Sequence, residues 1–296
     1  MTFRPCGPKK KRPLEAKRMT IVIGMLSDSG VVIAADTEET SDVKRDVSKL
    51  EEAFNGCGGT LVVGGAGGVP HIEGCTELIV DAFKKASGEN IGELTEQFKE
   101  IIRTFYQEYV LCWPTAEERQ ANDFSLLIGA AMRKEDNREF SLWIAEKGVL
   151  RSVRGFRGHA AIGSGSAYAN NLMDRRRLGQ SLAEEILTAI HVVMKVKCDM
   201  PYCGKNTDIY WLDGTESCFP VRKNPLTRAS IIERAESLFA ELEMVNLEQF
   251  QSLIEADHEM PHSAGKEEIN KQIRQLRKQF AALILEGFPP HMRCEM

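Results

Sequence analysis

The chain has 296 residues, 43% of them hydrophobic and 27% charged, a globular composition long enough for one large domain plus an appendage. Its net charge of −5 and pI near 5.8 lack the basic footprint that nucleic-acid binding needs, and no run of about 18 apolar residues offers a membrane span. Eight cysteines (6, 57, 75, 112, 198, 203, 218 and 294) form no CxxC pair, so the sequence predicts reduced thiols, no metal site and no cofactor.

Residues 1–18, MTFRPCGPKKKRPLEAKR, carry four consecutive basic residues and three prolines without periodicity. Such a segment cannot bury a core face and reads as a disordered leader. It lacks the apolar run of a secretory signal. Residues 8–13 have the composition of a nuclear-localisation stretch; the competing readings are a removable leader and an upstream start. The expected location is cytoplasmic, or nuclear if residues 8–13 are retained.

Regular structure is expected from Thr20 onward. TIVIGML (20–26) and VVIAAD (31–36) are two apolar runs around a short Asp-Ser-Gly loop, which predicts a hairpin. The runs do not alternate, so both faces of that hairpin are expected to be covered. TLVVGG (60–65) is a further strand, followed by helices over about 70–85 and 91–111. FSLLIGAAM (124–132), FSLWIAE (140–146), GVLRSV (148–153) and HAAIG (159–163) read as strands. Helices over about 166–177 and 181–197 come next, the second opening on Ser181 and Glu184 at capping-box spacing. TDIYWLD (207–213) and SCFPV (217–221) close the set.

Two sheets, each covered by a helix pair, would bury all these apolar faces. The predicted architecture is α+β, a four-layer α-β-β-α sandwich over residues 20–222, with a leader over 1–19 and a helical extension over 223–296. Two apolar stripes mark the extension: Ile231, Ala235, Leu238 and Leu242, then Ile269, Ile273, Leu276, Phe280 and Leu283. A break over 257–265 separates them.

A threonine hydroxyl is a poor nucleophile without a base, and the residue's own free α-amine can serve as one if the threonine is first in the chain. Thr20 opens the first strand behind Met19, which initiation at that methionine followed by trimming would remove. TIVIGMLSDSGVVIAAD (20–36) resembles the start of a mature proteasome β subunit. It also resembles the proteolytic subunit of the bacterial two-component protease that works with a AAA+ unfoldase. Both are N-terminal-nucleophile (Ntn) hydrolases. In them the threonine leads strand one and an acid closes strand two sixteen residues later, the spacing of Thr20 and Asp36.

The resemblance covers about residues 20–220 and assigns further roles. Lys49 in SKL (48–50) matches the lysine that polarises the threonine hydroxyl, with Lys44 as its rival. In VVGGAGG (62–68), Gly64 takes the position of the oxyanion-hole amide. Ser164 in AIGSGSAYA (161–169) matches the serine beside the threonine amine. In CDMPYCGKNTDIYWL (198–212), Asp199 fits the family's aspartate, and Cys203 stands where a serine is expected, with one residue inserted between. Glu38 replaces an arginine that many members carry.

The resemblance thus implies a threonine endopeptidase that cleaves unfolded polypeptides inside rings of identical or related subunits, with a AAA+ unfoldase as candidate partner. The alternatives are a catalytically silent proteasome-like subunit and a non-ring Ntn amidase acting on small amides. No GxSxG elbow or GxxxxGK[ST] loop points to other chemistry.

Overall fold

The computed structural model describes residues 20–40, 44–55, 58–86, 90–134, 137–155, 157–174, 181–200, 203–204, 206–213, 225–255 and 264–287. The leader and the expected strand over 217–221 lie outside them.

The first apolar runs become β1 (Ile21–Leu26) and β2 (Gly30–Asp36), buried at every position. Both faces are covered, as their lack of alternation requires. They form the centre of an antiparallel four-stranded sheet ordered β10-β1-β2-β11, with β10 spanning His159–Gly163 and β11 Thr207–Asp213. A second antiparallel sheet runs β5-β6-β7-β8-β9. Its strands are β5 (Leu50–Phe54), β6 (Thr60–Gly67), β7 (Phe124–Lys134), β8 (Asn137–Glu146) and β9 (Val149–Ser152). A short ribbon, β3 (Glu38–Thr40) with β4 (Lys44–Asp46), joins the two sheets in sequence.

The sheets pack face to face through Val22, Ile33, Val62, Leu127 and Leu142. Close approach needs small residues at the crossing. A Cβ on Gly24 would lie 2.8 Å from a Leu127 methyl, and one on Gly129 2.8 Å from an Ile33 methyl, so a side chain at either would push the sheets apart.

Helices α1 (Val69–Lys85) and α2 (Ile91–Tyr109) cover the outer face of the second sheet, burying Ile79, Phe83, Phe98 and Ile102 against Trp143. A short α3 (Ala116–Ala121) leads into β7. Helices α4 (Ser166–Met173) and α5 (Leu182–Asp199) cover the first sheet. The predicted capping box forms: the Glu184 amide donates to Ser181 Oγ and the Ser181 amide to Glu184 Oε2, at 3.3 and 2.8 Å. The four layers are those the strand and helix order implies.

The extension adds a fifth layer. α6 (Pro225–Glu255) and α7 (Ala264–Gly287) pair with each other, and α6 lies on α5. Ile231, Ala235 and Leu238 join the core beneath α5, with Leu276 and Leu283 of α7 behind them. Each Leu or Ile buried this way stabilises by roughly 1.5–3 kcal/mol. No helix among the described residues is long and apolar enough to cross a membrane.

Candidate active site

The site forms where β1 begins and β2 ends. Antiparallel pairing sets Val22 opposite Ala35, and so brings Asp36 beside Ile21. The Ile21 amide donates to Asp36 Oδ1 at 3.0 Å, which fastens the carboxylate to the residue that follows Thr20. Thr20 itself is half-buried. On its other side, the pairing of Ile21 with Gly163 carries Ser164 to the register position opposite Thr20. Gly163 has φ +95°, and a Cβ there would overlap the Thr20 carbonyl oxygen, so only glycine allows this approach.

Asp36 is fully buried. Leaving such a carboxylate unpaired would cost several kcal/mol. Three donors offset that cost: the Ile21 amide, Lys49 Nζ at 2.7 Å on the same Oδ1, and the Gly204 amide at 3.2 Å on Oδ2. Lys49 is nearly buried too, its side chain 11% exposed. The rival Lys44 lies in β4, paired with Thr40. Lys49 is therefore the lysine the fold delivers to the acid.

The loop before β11 supplies Cys203 and Gly204. Cys203 is buried and lies beside Ser164. Burial above all, then the neighbouring Asp36 carboxylate, push its thiol up to about 11, against smaller opposing effects of Lys49 and Ser164. It is a neutral thiol where a hydroxyl was expected. Cys203 is free, as are Cys75, Cys112 and Cys198.

Two of the expected residues sit differently. Asp199 ends α5, and its carboxylate accepts from the Tyr168 hydroxyl at 2.5 Å with Lys195 3.9 Å away; it does not reach the Asp36–Lys49 pair. Gly64 is buried at the end of the β5–β6 pairing, opposite Leu50, where a Cβ would meet Val22 and Leu50 side chains. The lining of the cavity beside Thr20 begins one residue later, at Gly65, Ala66 and Gly67. Among the described strands, β5 stops at Leu50, so this stretch of β6 has a strand partner only on its β7 side.

That cavity holds about 510 Å³ and is lined by Thr20, Lys49, the Gly65–Gly67 backbone, Val69 and Ile72. Other walls, Glu38, Glu73 and Thr76 among them, were given no place in the site by sequence reasoning. Glu38 is buried, with its carboxylate against Gly204. Val69, Ile72, Glu73 and Thr76 follow helical spacing along one face of α1, which is the signal that could have placed them. A second cavity of about 500 Å³ opens between α1 and α2 near Leu78 and Leu94 and contains none of the site residues.

The first sheet is anchored from behind. Lys197 Nζ donates to Thr207 Oγ1 and Glu236 Oε1, both at 2.7 Å, and Thr207 Oγ1 donates to the same Glu236 oxygen at 2.7 Å. Thr207 pairs with Asp36 across β11 and β2. The α6 extension is thus tied, through Glu236, to the strand position opposite the buried acid.

The sequence matches no protein-family model and none of the curated proteins. Solved structures do match the fold. Anbu (ancestral beta-subunit) from Yersinia bercovieri superposes with TM-score 0.57 at 15% identity, over 82% of this chain and 99% of that one. Anbu from Hyphomicrobium sp. strain MC1 gives 0.57 at 13% identity, over 82% and 99%. The helical assembly of the Anbu complex from Pseudomonas aeruginosa gives 0.56 at 14% identity, over 83% and 100%. At such identities the likeness concerns the fold alone: the chain shares the α+β sandwich of these Anbu subunits and matches them over nearly their whole length.

Proposed function

We propose that the chain is a threonine-type endopeptidase subunit whose nucleophile, Thr20, acts once residues 1–19 are removed. The observation that carries this reading is the shared Asp36 oxygen, which binds both the Ile21 amide next to Thr20 and the Lys49 ammonium.

In the proposed reaction the freed α-amine of Thr20 takes the hydroxyl proton as Oγ attacks the peptide carbonyl. Lys49, held by Asp36, favours the developing alkoxide. Backbone amides of the Gly-rich end of β6 stabilise the oxyanion. The C–N bond then breaks, the leaving amine takes the proton from the threonine amine, and an ester remains on Oγ. Water activated by the same amine hydrolyses that ester and restores the hydroxyl. Ser164 and the Cys203 thiol would hold the amine in place.

The proposed substrates are unfolded polypeptides, reached inside an assembly of identical or related subunits and fed by a AAA+ unfoldase. The proposed location is the cytoplasm. The helical assembly recorded for the Pseudomonas aeruginosa Anbu complex supports self-association without fixing a ring.

The engagement of Asp199 with Tyr168 and Lys195 favours a second reading, a catalytically silent subunit of the same fold. Mass spectrometry of a chain prepared to begin at Thr20, incubated with a peptide vinyl sulfone, separates the two. A single adduct on Thr20 together with turnover of fluorogenic peptides supports the peptidase. Neither adduct nor turnover would leave the silent subunit.

A further inference from the structure

The outer helix layer carries two features that the proposed chemistry does not use, one toward each end of α2. The first is the cavity between α1 and α2. Leu78 and Ala82 of α1 and Leu94 and Ile101 of α2 stand at helical spacing on the two helices and enclose about 500 Å³, with Met132 of β7 beneath them. Leu94 and Met132 are buried, whereas Leu78 is 47% exposed. Asp81, Lys85 and Glu93 line the same groove and are exposed.

The second feature is an apolar projection where α2 ends. Tyr109 is 50% exposed, Leu111 49% and Trp113 39%. Local bonds hold this turn in shape. Trp113 Nε1 donates to the Tyr109 carbonyl at 3.0 Å, the Leu111 amide donates to the Tyr106 carbonyl at 3.0 Å, and the Tyr109 ring stacks on Phe105 with centroids 4.5 Å apart. Arg119 of α3 braces it from the other side, donating from Nε and Nη2 to the Trp113 and Pro114 carbonyls at 2.9 and 3.1 Å. A projection already held this way loses little further freedom when it docks. Trp, Tyr and Arg are also the residue types that dominate the energy of protein interfaces.

The two features cannot meet within one chain. Leu94 and Tyr109 stand fifteen positions apart on the same helix, which separates them by about 22 Å. Between two copies they can meet. The groove has room for an indole and an adjoining leucine, and both rims carry charges of each sign: Asp81, Lys85 and Glu93 at the groove, Glu117 and Arg119 near Trp113. Opposite charges paired across such a contact fix its register more than its affinity.

We propose that a second copy of this chain seats its Trp113 in the groove between α1 and α2, with Tyr109 and Leu111 beside it. The contact is head-to-tail. Each docked pair still presents a groove at one end and a Trp113 at the other, so the contact repeats into a ring or a helix. It rests on the self-association part of the proposed function and not on the peptidase chemistry.

Sedimentation velocity of the full chain over a dilution series tests it. Trp113→Ala should weaken association about 30-fold, the loss expected at an interface hot spot. Leu78→Glu, which puts a charge at the groove, should do at least as much. Both positions are exposed, so unfolding curves at high dilution should match the parent. A mixing experiment then reads the head-to-tail geometry. Trp113→Glu keeps its groove and Leu78→Glu keeps its Trp113. Each alone should be monomeric at concentrations where the parent assembles, and the mixture should give heterodimers and nothing larger, because it holds one intact contact.

A mixture that stays monomeric, or assembly untouched by either substitution, overturns the inference. In the second case self-association stands and only this contact is lost. A parent chain that is monomeric throughout the series removes the self-association reading as well, and peptide turnover by a monomeric chain starting at Thr20 would still leave the chemistry in place.

Discussion

Asp36 gives one oxygen to two partners, the Lys49 ammonium at 2.7 Å and the Ile21 amide at 3.0 Å. Acid, lysine and the start of β1 therefore move as one unit. Removing the lysine would leave a fully buried carboxylate held only by amides, and breaking such a pair costs about 3 kcal/mol. Lys49→Ala should lower Tm accordingly. In the chain beginning at Thr20 it should also cut peptide hydrolysis by at least about 100-fold, the usual scale for losing a group that manages a reacting proton. Lys49→Arg should recover stability better than activity, because the planar guanidinium cannot occupy the ammonium's position. Thermal melts and a fluorogenic-peptide assay on the three proteins check this.

Gly163 is where β10 comes closest to the nucleophile. Its φ of +95° and its contact with the Thr20 carbonyl oxygen forbid a side chain on two independent grounds. Gly163→Ala should destabilise by about 1–3 kcal/mol, the cost of holding a non-glycine residue in that region. The displacement falls on Thr20, so vinyl sulfone labelling of that residue should slow in the folded variant. Labelling at the parental rate in a fully folded Gly163→Ala protein would show that Thr20 is positioned by something else.

Burial pushes the Cys203 thiol up to about 11, and burial alone pushes Cys75 up to about 12, from an unfolded value of 9.0. Both thiols stay protonated in the fold at pH values where the unfolded chain has lost those protons. Their contribution is complete below pH 9.0 and is lost as pH rises toward the folded values, so stability should fall across that window. The loss per thiol approaches about 1.4 kcal/mol per pH unit. Cys203→Ser does not titrate there and should flatten the alkaline limb of denaturant-unfolding curves measured at pH 8, 9 and 10. In the parent at neutral pH, iodoacetamide should modify exposed Cys112 and Cys198 well before Cys203.

The double-covered strands β1 and β2 were legible because runs such as IVIGML and VVIAAD lack the alternation of a half-exposed strand. Thr20, Asp36, Lys49, Ser164 and Cys203 were singled out by the resemblance, and the fold brings Lys49 and the amide after Thr20 onto Asp36. Asp199, assigned in the same way, has its contacts elsewhere. α5 continues through it, so the residue stays on the helix, four positions from Lys195, instead of entering the loop. Glu73 and Thr76 share one face of α1 at helical spacing, but nothing in the sequence says that this face meets Glu38 and the end of β6 around one cavity. The apolar stripes of α6 and α7 announced that they pack, but not that α5 receives them.

Glu236 connects the extension to the site without lining it. Its carboxylate accepts from Lys197 and Thr207, and Thr207 faces Asp36 across the sheet. Lys197 is 11% exposed at its side chain and Glu236 29%, so the pair is worth more than a surface ion pair and less than a fully buried one. Glu236→Ala should therefore cost about 2 kcal/mol, and Glu236→Gln less, since the amide oxygen can still accept from both donors. If α6 served only to cover apolar surface, each variant would lose activity in proportion to its unfolded fraction, with KM and the pH profile unchanged. If Glu236 also holds the β11 position opposite Asp36, Glu236→Ala should lower kcat in fully folded protein well below its melting range. Glu236→Gln should restore it, and KM for a given peptide should stay constant because the cavity is untouched. Measuring kcat, KM and folded fraction together at a temperature about 20 °C below Tm distinguishes the two.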